Sequence, residues 1–269
     1  MFLRVNNLNM FVDVRGSATN ETILFIHGFP FDHSMWRHQM QAFSGAFRCI
    51  APDLRGHGGT IQVDKAAGVH DVSMDRYADD LMALLDQPGG QHKVTVCGLS
   101  LGGYIAFALW RKYPDRIQRL ILSDTKATPD NDAARSKRSA QAMQVSKDGV
   151  SSISNGMLDT LLHPDHRAGI LRMEVRRMIE STAAQGVIDT LGALANRPDS
   201  TPTLATINVP TLILVGDNDT TTPLSDAQWM QQHLAGSGPV TIISNAGHLS
   251  PLENPDQFNL TLSAFLKST

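Results

Sequence analysis

The 269-residue sequence predicts a doubly wound α/β fold: a mostly parallel sheet with a helical insertion between two of its strands. Three observations carry this reading. Short runs rich in β-branched residues alternate with longer segments of helical period. Those runs are apolar on both faces, as strands covered by helices on each side must be. One long stretch breaks the alternation, and it is too long to be a structureless loop.

In chain order, Leu3-Arg4-Val5 and Met10 to Val14 flank Asn6-Asn7 and read as a hairpin. Strand-like runs follow at Thr22–Ile26, Phe47–Ala51, Val94–Cys97, Leu120–Leu122, Thr211–Val215 and Val240–Ile243. Between them lie amphipathic helices. Tyr77, Leu81, Leu84 and Leu85 share a face after a start at Ser73; Ile105, Ala108 and Leu109 share another that ends near Tyr113-Pro114. A last helix begins near Pro255 and aligns Phe258, Leu262 and Phe265. From Thr125 to Thr203 only helical patterns occur: Val150, Ile153, Met157, Leu158 and Leu161 form one face, and Leu171, Val175, Met178 and Ile179 another. Residues 1–124 and 204–269 are therefore expected to form the core, and 125–203 a helical cap. Met157, Met173 and Met178 are expected to pack in the core or cap, or to line an acyl pocket. Trp36 is expected either to wall that pocket or to lie under the first helix.

Composition excludes several classes of function. Hydrophobic residues make up 42% and charged residues 18%, which suits a globular domain and not a disordered one. A net charge of -3 with no basic stripe offers nucleic acid no footprint. No apolar run reaches the length of about 18 residues needed to cross a membrane, and Met1 to Asn7 does not open like a signal peptide. Cys49 and Cys97 both sit in apolar runs and read as reduced thiols of a cytoplasmic protein. Between Lys126 and Arg197 ten basic residues face eight acidic ones. A solvated helical surface accounts for that balance, with an electropositive lid over anionic substrates as the alternative.

The chemistry-bearing signal is Gly98-Leu99-Ser100-Leu101-Gly102-Gly103, directly after a strand and before a helix. A G-x-S-x-G turn in that setting exposes a serine hydroxyl above the sheet, and Gly98 and Gly102 are needed because a Cβ at either would collide with the turn. Serine needs an adjacent base. His248, on the loop after the last strand, opens on the same sheet edge as Ser100. The imidazole in turn needs an acid, and three aspartates are candidates: Asp219, Asp217 and Asp124. The chain order Ser…Asp…His favours Asp219, while Asp217 is better placed to brace its loop through backbone amides. Backbone N–H groups of Phe29, in His27-Gly28-Phe29-Pro30, and of Leu101 are the natural donors for an oxyanion. His27 reads as a loop anchor. His163 and His166 flank a proline and lack a third ligand, so no metal site is expected.

Together these motifs, with Asp53-Leu54-Arg55-Gly56-His57-Gly58, Gly216 to Asp219, Thr222-Pro223 and Gly247-His248, resemble the α/β-hydrolase family over essentially the whole chain. The sequence looks most like small bacterial carboxylesterases, 3-oxoadipate enol-lactonases and cofactor-free haloperoxidases. The resemblance implies Asp219, three residues after the glycine, as the acid, no cofactor, and a small ester or lactone as substrate. Ser100 sets the chain apart from relatives with aspartate or cysteine at that turn. Perhydrolysis and a receptor role on the same scaffold are the competing expectations.

Overall fold

Both faces of the sheet are buried, and the alternation of side chains along each strand explains why the runs are apolar throughout. In the computed structural model, which describes residues 1–62, 72–87, 90, 92–235 and 238–269, the strands are β1 (Phe2–Val5), β2 (Leu8–Arg15), β3 (Thr22–Ile26), β4 (Arg48–Pro52), β5 (Ile61–Gln62), β6 (Val94–Leu99), β7 (Ile117–Ser123), β8 (Thr211–Gly216) and β9 (Thr241–Ile243). They form one sheet in the order β1-β2-β4-β3-β6-β7-β8-β9, with β5 beside β2. β1, β2 and β5 pair antiparallel; the run from β4 through β3 to β9 is parallel. The chain leaves β3 toward β4 on one side and returns to β6 on the other, which makes the β3–β6 border the topological switch point.

The helices are α1 (Arg37–Phe43), α2 (Met74–Leu85), α3 (Leu101–Lys112), α4 (Asp132–Asp148), α5 (Ser151–Leu161), α6 (Gly169–Ser181), α7 (Ala184–Ala195), α8 (Thr201–Leu204), α9 (Leu224–His233), α10 (Ser250–Glu253) and α11 (Pro255–Ser268). Leu24, Ile26, Val96 and Leu122 point toward α2, α3, α8 and α9, whereas Ile23, Phe25, Cys97 and Ile121 point toward α1, α10 and α11. Burying each such leucine, isoleucine or phenylalanine contributes about 1.5–3 kcal/mol. The N-cap expected at Ser73 is present: its side chain accepts from the Arg76 N–H. Trp36 is fully buried against Phe25 and Phe258, so it packs under α11 and walls no pocket. Met178 is buried, but Met173 is 70% exposed, contrary to the expectation that it packs inside. The reason is helical phase: on α6 the buried positions are Val175, Met178 and Ile179, and Met173 lies opposite them.

The four helices α4–α7 all lie between β7 and β8. Their apolar faces, including Ile153, Leu158, Val175, Ile179 and Val187, join the core on the α1–α11 side. No helix among the described residues is long and apolar enough to cross a membrane.

A buried ion pair ties the hairpin to the rest. Arg55 meets Asp80 through two bonds of 2.9 Å, Nε to Oδ2 and one terminal nitrogen to Oδ1; it also donates to Asn7 Oδ1 at 3.0 Å, while Asn6 Nδ2 donates to Asp80 at 2.8 Å. Arg55→Met would leave the Asp80 carboxylate buried with only the Asn6 amide. A loss of about 3–5 kcal/mol is expected, read from urea unfolding midpoints.

Candidate active site

Backbone geometry at the turn after β6 is set before any side chain acts. Ser100 has φ 53° and ψ -108°, a conformation that costs about 1–3 kcal/mol and is held by its surroundings. Its N–H donates to Ser123 O at 3.0 Å, and its carbonyl accepts from Thr125 Oγ1 at 2.9 Å. A Cβ at Gly98 would sit 2.3 Å from the Gly102 carbonyl oxygen, and one at Gly102 would sit 2.2 Å from that of Ile26. Only glycine fits either place. A Cβ at Gly103 would strike the Thr125 side chain, so this residue clears the loop after β7.

Ser100, His248 and Asp219 meet at the C-terminal edge of the sheet. The Ser100 hydroxyl lies 2.8 Å from His248 Nε2, and His248 Nδ1 lies 2.8 Å from Asp219 Oδ2. His248 and Asp219 are buried, whereas Ser100 is half-buried. With Nδ1 carrying the proton toward the carboxylate, Nε2 is left to accept from the serine. Asp219 is itself fixed by the N–H groups of Thr221 and Thr222 at 2.8 and 3.0 Å and by the Thr222 hydroxyl at 2.7 Å.

Electrostatics follow from this packing. Burial alone would depress the His248 imidazolium, but the Asp219 carboxylate beside it, helped by Asp124 and Glu253, outweighs that and raises its pKa above the ordinary 6.5. Burial would likewise raise Asp219, yet the His248 charge and hydrogen bond, with those of Thr222, hold it below the usual carboxylate range.

The other two aspartates occupy different places. Asp217 accepts from the Asn245 and Ala246 N–H groups at 2.9 and 3.0 Å and so joins the β8 loop to the β9 loop. Asp124 is fully buried with φ 46°; it accepts from Gly216 N–H and from the hydroxyls of Ser123 and Ser250. Burial, with the neighbouring Asp219 charge, pushes its carboxyl up to about 7. His248 hydrogen-bonds Asp219 and neither of these.

β3 and β6 run side by side with Ile26 opposite Gly98, which brings the His27–Pro30 loop next to the Ser100 turn. Among the described residues, the N–H groups of Phe29 and Leu101 donate to no protein acceptor. His27 is fully buried and fully engaged: Nδ1–H donates to Gly28 O at 2.8 Å and Nε2 accepts from Leu54 N–H at 3.0 Å. His163 and His166 have ring centres 5.9 Å apart, and His166 Nδ1 bonds Glu253. Among the described residues Asp32, His33 and Asp53 also bring three ligand-type atoms together. Asp32 is taken up in capping the Ser34 N–H and Asp53 in accepting from His33 and Gly59.

Ser100, Phe29 and His248 open into a cavity of about 520 Å³ walled by α4 and α5, with Ile153, Met157 and Leu161 among its apolar residues. Lys126, Lys137 and Arg138 also line it, with Asp130 as its acid. Asp130 is shared between Arg138 and Arg197, and the Arg197 guanidinium lies 4.3 Å over the Tyr104 ring. Lys126 is 3.8 Å from Asp226, and Lys137 has no acidic partner among the described residues. A cavity of similar size, about 530 Å³, lies between the start of α2 and α7 and reaches neither Ser100 nor His248.

Sequence reasoning missed several of these residues. Thr222 stands in a matching motif, but its hydrogen bond to Asp219 goes unread, though a hydroxyl three positions after an aspartate in a turn commonly closes on it. Arg138, Arg197 and Glu253 carry no signal, because each looks like an ordinary surface charge.

Residues 23–259 match the family model described as the alpha/beta hydrolase family. Among curated proteins, 3-oxoadipate enol-lactonase 1 of Acinetobacter baylyi is 28% identical over 96% of this chain and 92% of its own. A thermophilic esterase from Thermogutta terrifontis, solved with malate bound, superimposes with a TM-score of 0.92 at 33% identity, covering 100% of this chain and 98% of its own. The enol-lactonase from Burkholderia xenovorans LB400 gives 0.88 at 25% identity, covering 99% and 100%. A sheet in this order, a strained serine at its switch point and a match spanning the β3–α11 body agree: the chain belongs to the alpha/beta hydrolase family.

Proposed function

We propose that this protein is a serine hydrolase that cleaves small carboxylic esters or lactones through an acyl-enzyme. The observation that carries the reading is the continuous hydrogen-bonded line Ser100–His248–Asp219, with its hydroxyl end facing a partly apolar cavity. The names of the relatives, an enol-lactonase and an esterase, support it.

In this mechanism Ser100 Oγ attacks the carbonyl carbon while His248 Nε2 takes its proton. The N–H groups of Phe29 and Leu101 receive the oxyanion; such donors are worth about 2.7–4 kcal/mol each where they are preorganised. As the tetrahedral intermediate collapses, His248 returns the proton to the leaving oxygen. Water, deprotonated by the same nitrogen, then attacks the acyl carbon, and the carboxylic acid leaves with Ser100 restored. Asp219 keeps the proton on Nδ1 and stabilises the imidazolium that forms in each half. In this reading residues 125–203 form a cap, with α4 and α5 shaping the acyl pocket.

The cavity wall bears on substrate choice. Lys137 has no acidic partner among the described residues and Asp130 is shared by two guanidiniums, so positive charge on the wall exceeds negative. An ester carrying a free carboxylate is therefore expected to be preferred over its neutral isostere. With p-nitrophenyl hydrogen glutarate against p-nitrophenyl 5-methylhexanoate, kcat/KM should favour the anion about tenfold, and Lys137→Glu should abolish that preference. A series from acetate to decanoate, run beside lactones, tests the reading itself. Hydrolysis of none of them would end it.

A further inference from the structure

One buried acid next to this line has no part in the mechanism above. The Glu253 side chain is 0% exposed, an unusual place for a carboxylate unless every oxygen is satisfied. Here four donors do so. Oε1 accepts from the N–H groups of Gly247 at 2.9 Å and Leu249 at 3.2 Å, the residues on either side of His248. Oε2 accepts from His163 N–H at 2.7 Å and from His166 Nδ1–H at 3.0 Å. The His248 N–H itself donates to Leu161 O at 2.7 Å. One carboxylate thus grips the main chain before and after the imidazole with one oxygen. Its other oxygen holds the turn that follows α5, the helix whose Ile153, Met157 and Leu161 line the cavity.

We propose that Glu253 is a positioning residue for His248: it fixes the loop that carries the imidazole and locks that loop to the end of α5, so that general base and pocket wall move as one unit. The inference rests on the esterase reading for its catalytic consequence, but not for its structural one. Glutamine is a discriminating replacement. It has nearly the same shape, yet its amide group is a donor and must face one of the two pairs of N–H groups, leaving that pair without an acceptor.

The charges that face His248 come from three directions: Asp219 from the β8 loop, Asp124 from the end of β7 and Glu253 from α10. The groups facing Glu253 from the insertion are His163 and His166, with Asp165 beside His163. Removing the Glu253 charge should make the imidazolium easier to deprotonate. Removing the His166 donor should do the reverse, because the carboxylate then turns less compensated charge toward His248. A purely structural role for Glu253 predicts no such pair of opposite shifts.

The test is an NMR titration of the His248 ring in the full-length protein, its Glu253→Gln variant and its His166→Ala variant, alongside kcat with p-nitrophenyl acetate. In E253Q the His248 titration should move to lower pH and kcat should fall about 10²-fold, the size expected when a reacting group is displaced by about 1 Å. In H166A the titration should move to higher pH and kcat should fall about fivefold. A folded E253Q with an unmoved titration overturns the proposal, whatever happens to kcat. Should E253Q fail to fold, H166A decides: an upward shift supports the proposal and an unmoved titration overturns it. Because the titration needs no substrate, a protein that hydrolyses no ester would defeat the functional reading while this inference is still judged by the ring's pKa.

Discussion

Replacing Ser100 with alanine is expected to lower kcat on p-nitrophenyl acetate by about 10³- to 10⁶-fold with little change in stability. The size follows from the proposed mechanism, in which the three side chains act as a unit. In that mechanism His248 would have no proton to take without the hydroxyl, and only the proposed oxyanion donors and substrate binding would remain, worth about 10³- to 10⁴-fold over water. Stability should hold because Ser100 is fixed by its backbone: Ser123 O and Thr125 Oγ1 bind its N–H and carbonyl, and both survive the change. The strained φ of 53° also persists with alanine, so the turn keeps its shape and its cost. Covalent labelling by a fluorophosphonate, followed by intact mass, provides a second readout; the parent should gain one adduct and the variant none. Equal turnover by parent and variant would rule out Ser100 as the nucleophile.

Asp219→Asn should cost about 10⁴-fold in kcat at neutral pH. The present carboxylate accepts from Nδ1–H, which leaves Nε2 bare toward Ser100. The Thr221 and Thr222 N–H groups both donate to Oδ1, where only an oxygen can accept them, while the Thr222 hydroxyl on Oδ2 can turn from donor to acceptor. An asparagine amide would therefore be driven to point its N–H₂ at the ring, selecting the tautomer with the proton on Nε2, where it blocks the serine. The pH dependence has a definite sign. In the proposed mechanism His248 would work as a base only when neutral, so its raised pKa should place the acid limb of kcat/KM above pH 6.5 in the parent. Loss of the Asp219 charge removes the largest cause raising that pKa, so the limb should move to lower pH. Asp124 is placed to blur this result, since its carboxyl, pushed up to about 7 by burial, gains charge over the same range. Asp124→Asn in the same background separates the two. A variant that keeps full activity and an unmoved limb would remove Asp219 from the mechanism.

How far the sequence reaches is clear from particular residues. Strands such as Thr22–Ile26 are legible because both faces are buried, which forces an unbroken apolar run. The Ser100 turn is legible because its glycines answer a local clash. Helix α4 is not legible in the sequence: of its 17 residues only Val145 is buried, so no apolar stripe announces it, and alanine content with the Asn131 cap carries it instead. Among Asp124, Asp217 and Asp219 only the resemblance discriminates, because all three lie between Ser100 and His248 and follow strands that end at one edge. What separates them in space is long-range: Asp217 is spent on the Asn245–Ala246 backbone, and Asp124 on Gly216 and Ser250. Glu253 is invisible for a related reason. Nothing local distinguishes a glutamate in a four-residue helix from a solvated one until the turn at 163–166 folds over it.

The two thiols carry a consequence of their own. Cys49 on β4 and Cys97 on β6 flank β3 on the sheet's α1–α11 face with no exposed surface, and burial pushes Cys49 up to about 12 and Cys97 well above its ordinary value. Neither can present a thiolate to an alkylating reagent while the sheet is intact. Their modification rate under native conditions is therefore a clock for whole-domain opening, supplied by the chain itself without an added label.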